Sequence, residues 1–295
     1  MKYREFIELY FMVDKAETGE LVPFKFNKVQ SMYYDLLNKD YFEEDNWPGL
    51  REDILKARRE GMTTFILALF AAEMIWSKHP IRSLEISYKD DATLQHFRRF
   101  KTFLESYCKK RGLNFKEFVE TDNKHELILK HNRASFFVGT ASARTGERGG
   151  TVQNILFSEA AFYPDTEVMT AREIIEASMR MVDINAGKVF IESTANGVGN
   201  YYHSLWINAS KGESRFRPRF WGWRDFYTED EFKLIASEFT SEAMLKQEYP
   251  ETPEEAFIAA GSPFFDPDAL LNYRKEVREP VVRGDLTGGR PVVVV

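Results

Sequence analysis

A short apolar entry, a basic turn closing on Gly-Met-Thr, and a long apolar run without a helix breaker follow one another between Ile54 and Trp76. Few folds accept that order. A strand that feeds a glycine turn and then a buried helix is the opening of a phosphate-binding loop, ordinarily Gly, four residues, Gly-Lys and Ser or Thr. Gly61 and Thr63 fill the second glycine and hydroxyl positions, Met62 stands where lysine belongs, and Lys56 stands where the first glycine belongs. The following run, Thr64-Phe-Ile-Leu-Ala-Leu-Phe-Ala-Ala-Glu-Met-Ile-Trp76, has helical composition. Backbone N–H groups at its start would cradle phosphate and Thr63 would hold a magnesium ion. The expected nucleotide-binding stretch is therefore Lys56, Ala57, Arg58, Arg59, Glu60, Gly61, Met62, Thr63 and Thr64. Its positive charge falls to Lys56, with Arg58 and Arg59 as alternatives. A basic turn ahead of a core helix would look the same, so support must come from elsewhere in the chain.

The 295 residues suffice for one large domain or two modest ones. A hydrophobic content of 43% with 29% charged residues is that of a soluble globular protein. Cys108, the single cysteine, excludes an intramolecular disulfide framework and fits a reducing compartment. Acids interrupt the apolar start, which argues against a signal peptide, and no window approaches the ~20 uninterrupted apolar residues of a membrane span. A formal charge of -6 argues against a wholly basic nucleic-acid coat. The 25 phenylalanines and 13 tyrosines are assigned to core packing rather than to a stacking platform.

Residues 1–50 read as a helical entry region in which Asn27 caps a helix through Ser31–Leu37 and places Gln30 in its first turn. The stretch 82–88 alternates as a strand and precedes a helix over Thr93–Tyr107; 126–130 and 135–138 read as a hairpin. Two apolar strands follow, 154–157 and 188–191, separated by a helix over 170–181. Strand, helix, strand at this spacing predicts right-handed crossovers in an α/β fold with a central, mostly parallel sheet flanked by helices. Ligands would then lie along the carboxyl ends of the strands. The expected organisation is an ATPase core over 1–200, a small lid over 201–265 with helices at 201–210 and 229–246, and a linker over 266–295.

Strand 154–157 ends in Ser158-Glu159. Nucleotide hydrolysis needs an acid beside bound magnesium to hold or activate water, and a strand terminus delivers one rigidly. Glu159 is the candidate, while Ser158 stands where a metal-binding aspartate is usual and can help only through its hydroxyl or an ordered water. Thr63, Ser158 and Glu159 are thus the expected metal-side residues. Taken alone, Glu159 reads more simply as a solvated strand end, and its position downstream of the phosphate loop is what raises it. The next strand runs into Ser193-Thr194-Ala195-Asn196, whose small polar groups could sense a γ-phosphate. In the glycine-rich loop over 142–150, Arg148 is the candidate finger for transition-state charge, with Arg144 as the alternative.

The set Lys56–Thr63, Leu156-Phe-Ser-Glu-Ala-Ala-Phe162, Glu192-Ser-Thr-Ala-Asn-Gly197 and Gln247-Glu-Tyr-Pro-Glu-Thr-Pro-Glu-Glu-Ala-Phe257 resembles the ATPase half of tailed-bacteriophage terminase large subunits over roughly residues 20–265. The resemblance implies a P-loop fold, ATP and Mg2+ as cofactors, and a motor that packages double-stranded DNA into a procapsid in the host cytoplasm. It also implies a portal protein, a small terminase subunit and a homo-oligomeric ring as partners, no membrane, and a separate chain that is monomeric in solution. Lys56 looks like the family's displaced phosphate-loop lysine, Glu159 like its catalytic carboxylate, Ser193–Asn196 like its coupling segment, and Gln30 like the glutamine that reads the adenine edge. Family members usually continue into a nuclease domain. Asp266, Asp268 and Asp285 are too scattered to replace it, so DNA cleavage is not expected of this chain. Two other functions stay open: a helicase-like or other DNA-stimulated ATPase, and a structural connector that has lost hydrolysis.

Overall fold

The computed structural model describes residues 2–15, 18–41, 47–141, 150–167, 169–259 and 273. The chain enters through helix α1 (Tyr3–Tyr10), a two-stranded antiparallel ribbon of β1 (Met12–Asp14) and β2 (Leu21–Pro23), and helix α2 (Lys28–Asp40). Asn27 caps α2 reciprocally: its Oδ1 accepts from the Gln30 N–H at 2.9 Å and its own N–H donates to Gln30 Oε1 at 3.1 Å. Strand β3 (Arg51–Lys56) leads into α3 (Met62–Trp76), and β4 (Arg82–Ser87) into α4 (Asp90–Arg111). Helix α5 (Phe115–Phe118) and β5 (Val119–Asp122) precede the hairpin of β6 (Glu126–Leu129) and β7 (Ser135–Thr140). Next come β8 (Asn154–Ser158), a 3-10 turn over Ala160–Phe162, α6 (Ala171–Met179) and β9 (Lys188–Ser193). The chain then forms α7 (Tyr201–Ser210), β10 (Arg217–Trp221), α8 (Trp223–Phe226), α9 (Glu229–Ser237), α10 (Glu242–Glu248) and α11 (Pro253–Ala259).

Eight strands form the main sheet in the order β10-β3-β9-β8-β4-β7-β6-β5. Every pairing from β10 to β7 is parallel, and only the β7-β6 and β6-β5 pairs are antiparallel. The period of two along each strand divides the apolar side chains between two cores. Ile54, Leu156 and Phe190 face the core shared with α1 to α4, whereas Leu55, Ile155, Phe157, Val189 and Ile191 face the core under α6 and α7. Helix α3 is apolar on nearly all sides and is buried accordingly, from Phe65 through Ala72 without interruption.

Two stretches differ from the sequence reading. Strand β3 begins at Arg51 rather than at the apolar pair Ile54-Leu55, and Arg51, Glu52 and Asp53 are all buried. The first two are tolerated there because partners from elsewhere in the fold meet them. Arg51 donates to the Leu50 and Gly187 carbonyls, and Glu52 accepts from Tyr33, Tyr41 and Arg219. The second difference follows residue 200. Strand β10, in the stretch read as a lid, pairs in parallel with β3, so the main sheet continues past that point. The helical run over 229–246 is two helices, because the Ser241 hydroxyl accepts from the Met244 N–H at 3.3 Å and starts α10 afresh. No helix among the described residues is long and apolar enough to cross a membrane.

Candidate nucleotide site

The strand period that sorts the cores also builds the site. Lys56, Ser158 and Glu192 lie two residues beyond Ile54, Leu156 and Phe190 on their strands, and therefore project on the α3 side at the carboxyl edge. Register brings them level. Ser158 pairs directly with Glu192, and Glu192 in turn with Ile54. Helix α3 begins at this edge, with Gly61 as its N-cap in the left-handed region at φ 76°. The left-handed turn favours glycine at 61, and a Cβ there would sit 2.8 Å from Gln30 Nε2 and displace that amide.

Lys56 Nζ stands 3.1 Å from Glu159 Oε1 and 3.2 Å from Glu192 Oε2. Glu192 Oε1 accepts 2.7 Å hydrogen bonds from both the Thr63 and the Ser158 hydroxyls. Burial alone would lower the Lys56 pKa, but the two carboxylates outweigh it and hold the ammonium charged well above its usual range. Burial would likewise raise Glu192; the Lys56 charge and the hydroxyls of Ser158 and Thr63 overcome it and keep the carboxyl below its usual range. The buried lysine is thus a fixed cation between two acids at the foot of the loop.

Glu159 is aimed by its backbone. Its φ of 53° and ψ of 48° are left-handed, a conformation that costs a non-glycine residue roughly 1–2 kcal/mol. Oε2 meets the Ser193 hydroxyl at 3.4 Å and the Thr194 N–H at 3.3 Å. Ser193 Oγ also accepts from the Ala161 N–H at 3.1 Å, and Asn196 Nδ2 donates to the Ala161 carbonyl at 3.1 Å. Backbone strain of this kind persists where the surroundings over-determine it, as at functional sites. Beside Glu159 a cavity of about 270 Å³ is lined by Arg58, Thr63, Ser158, Thr194 and His96, among others.

No protein-family model matches the sequence, and no curated protein does. Solved structures do match the fold. The large terminase ATPase domain of Thermus phage P74-26 aligns at 15% identity and a TM-score of 0.56 over 72% of this chain and 91% of that one. The bacteriophage HK97 large terminase aligns at 12% identity and a TM-score of 0.63, covering 92% of this chain and 57% of that one. A large terminase from another thermophilic bacteriophage aligns at 11% identity and a TM-score of 0.53 over 76% of this chain and 52% of that one.

The chain has the fold of a phage large terminase ATPase domain. That is a P-loop fold, and within it the chain spans little more than half the length of the HK97 protein. The terminase fold brings together six of the residues singled out in the sequence: Lys56, Thr63, Ser158, Glu159, Ser193 and Thr194 meet at the carboxyl edge of the sheet. Met62 is buried in the core with α1 to α4. Gln30 is also buried, and its Nε2 donates to the Gly61 carbonyl at 2.9 Å while Asn27 Nδ2 donates to the Glu60 carbonyl at 2.9 Å. The pair props the loop backbone from behind. Arg59 is exposed at φ 63°, and Glu60 is buried with its carboxyl pushed well above its usual range by burial. Arg144 and Arg148 lie outside the described residues, as do Asp266, Asp268 and Asp285.

Three further contributors have no role of their own in the sequence patterns. Glu192 appeared only as the first residue of a longer motif, yet it touches three of the site's side chains. The Gln247-Glu248 pair returns from α10 to clasp the edge: the Arg58 N–H donates to the Glu248 carbonyl at 2.8 Å, the Arg58 guanidinium meets its carboxylate at 3.0 Å, and Gln247 Nε2 donates to the Ala195 carbonyl at 3.3 Å. His96 of α4 presses its Nδ1 on buried Glu85 of β4. No sequence signal marks that pair, since Glu85 shares the polar side of an alternating strand with Ser83 and Ser87.

Burial lowers the His96 pKa, but Glu85 more than compensates and raises it above the ordinary 6.5. A group whose folded pKa is raised contributes stability in full below its unfolded value and loses it as pH rises through the folded one. Stability is therefore expected to fall over a window opening at about pH 6.5. His96→Gln should flatten that fall in denaturant midpoints measured between about pH 6 and 9. Parallel profiles for parent and variant would refute the assignment.

Proposed function

We propose that this chain hydrolyses ATP to ADP and phosphate and couples hydrolysis to the movement of double-stranded DNA into a viral procapsid. The observation that carries the reading is the buried Lys56 ammonium held between Glu159 and Glu192 beside the N-terminus of α3. An anion arriving at that helix start meets free backbone N–H groups, the favourable end of the helix dipole and a desolvated lysine. Lys56 then exchanges a carboxylate partner for phosphate oxygens. Release of Glu159 from Lys56 leaves its carboxylate, still aimed by the left-handed backbone and by Ser193 and Thr194, to polarise the attacking water.

The residues also fit magnesium, since the Thr63 hydroxyl and nearby carboxylates are hard oxygen donors. Thr63 would hold the ion, with Ser158 and Glu159 beside it, and bound magnesium would neutralise charge on the phosphates. Coupling runs through Ser193, Thr194, Ala195 and Asn196, because this segment touches Glu159 at one end and Gln247 at the other. For Gln30 to read an adenine edge, its amide must give up one of the partners it holds in the free chain, Gly61 or Asn27. The partners on this reading are duplex DNA, a portal protein, a small terminase subunit and copies of the chain in a ring, transiently docked on the procapsid in the host cytoplasm. Arg148, or Arg144 in its place, acts across that ring as the finger.

ATP turnover with and without duplex DNA tests the proposal. The isolated chain should be slow, and turnover should rise when assembly into rings is forced, since such arginines contribute about 10³-fold or more. Strand displacement by the chain would favour the helicase reading. Failure to bind nucleotide at all would favour the connector.

A further inference from the structure

Ser158 leaves the site without the carboxylate that normally closes the acid strand. The register shows where a substitute stands. Residues paired across neighbouring parallel strands project side by side on the same face, and the pair opposite Ser158 is Glu192. Its side chain is wholly buried, and its Oε1 lies 2.7 Å from both Thr63 Oγ1 and Ser158 Oγ. Around an octahedral ion with ligands at about 2.1 Å, neighbouring ligand oxygens are about 3 Å apart, so the carboxylate already stands at ligand-to-ligand distance from the Thr63 hydroxyl.

We infer that Glu192 is the magnesium-positioning carboxylate of this chain, displaced by one strand from its usual place at 158. The inference rests on the nucleotide-binding reading above and adds to it a residue and a reason. An aspartate at 158 beside Glu192 would set two carboxylates on adjacent strands with one lysine to serve both. Ser158 instead adds no charge and donates a hydrogen bond to Glu192. The serine and the glutamate are thus two halves of one exchange. Lys56 binds the other oxygen of Glu192 at 3.2 Å, which fixes the carboxylate before nucleotide arrives.

The test is the affinity of the protein–ADP complex for Mn2+, followed by electron paramagnetic resonance of the free ion, in the parent, in Glu192→Gln and in the exchanged double variant Ser158→Asp/Glu192→Ser. Glu192→Gln should lose roughly 10–100-fold in Mn2+ affinity, the range found when a carboxylate that orients a metal site is removed. The exchanged variant should recover most of that loss, a rescue that a purely structural role for Glu192 would not give. Unchanged Mn2+ affinity in folded Glu192→Gln overturns the inference. If that variant does not fold, the exchanged variant decides: near-parental Mn2+ affinity supports the assignment, and affinity as low as that of ADP alone overturns it. Separately, a parent that binds no ADP removes the nucleotide reading and this inference together, whereas a parent that binds Mn2+ and ADP with no contribution from Glu192 removes the inference alone.

Discussion

Lys56→Ala is expected to lower ATP turnover by roughly 10²–10³-fold, the loss typical of removing one preorganised group that stabilises developing charge. The same change should cost stability, because Lys56 is the cation that balances a fully buried carboxylate. Its side chain is 6% exposed and that of Glu192 is 0% exposed. Breaking a buried pair from one side costs about 3–5 kcal/mol, since the remaining charge is left uncompensated. Denaturant midpoints and steady-state ATPase assays read the two effects independently. Met62→Ala is the control. It opens space in the α3 core and should cost about 2–5 kcal/mol as a packing defect with a far smaller effect on turnover per folded molecule. Parental turnover in folded Lys56→Ala would show that a lysine at the first position of the loop does not replace one at the usual position.

Glu159→Gln should leave nucleotide binding nearly intact and reduce turnover by roughly 10²–10⁴-fold, the range for loss of a positioned base. Glutamine keeps the shape and can still accept from Ser193 and Thr194 through its carbonyl oxygen, so the strand end should hold its geometry. What it lacks is the charge that polarises water. Fluorescent-nucleotide titration alongside single-turnover hydrolysis separates the two quantities. Hydrolysis at the parental rate would assign the chemistry to another acid and leave Glu159 as a strained residue without a catalytic role.

Local chemistry made the framework legible. The Gly-Met-Thr turn, the unbroken apolar run of α3 and the apolar strands at 154–157 and 188–191 each carry a period or a breaker that neighbouring residues dictate, and the structure places elements at all of them. The mostly parallel sheet followed from their spacing, and Lys56, Thr63 and Glu159 could be singled out because they occupy fixed offsets from a glycine or a strand end. Strand β3 could not be read to its start, because Arg51, Glu52 and Asp53 look like solvent-facing residues until Asp183, Tyr33, Tyr41 and Arg219 meet the first two of them from far along the chain.

Glu192 marks the boundary between the two kinds of information. Nothing within its own strand distinguishes it from an ordinary acid. Its position beside Ser158 exists only once β9 lies between β3 and β8, a matter of strand order rather than of sequence pattern. Tertiary packing likewise brings Gln247 and Glu248 to the loops from α10, and sets His96 of α4 on Glu85 of the preceding strand. The sequence by itself determined which elements form and which residues end them, since helix and strand periods, caps and turns act over a few residues. Only the tertiary structure decided which buried charges face one another, because a charge becomes tolerable in the interior through partners that chain folding, and not chain proximity, supplies.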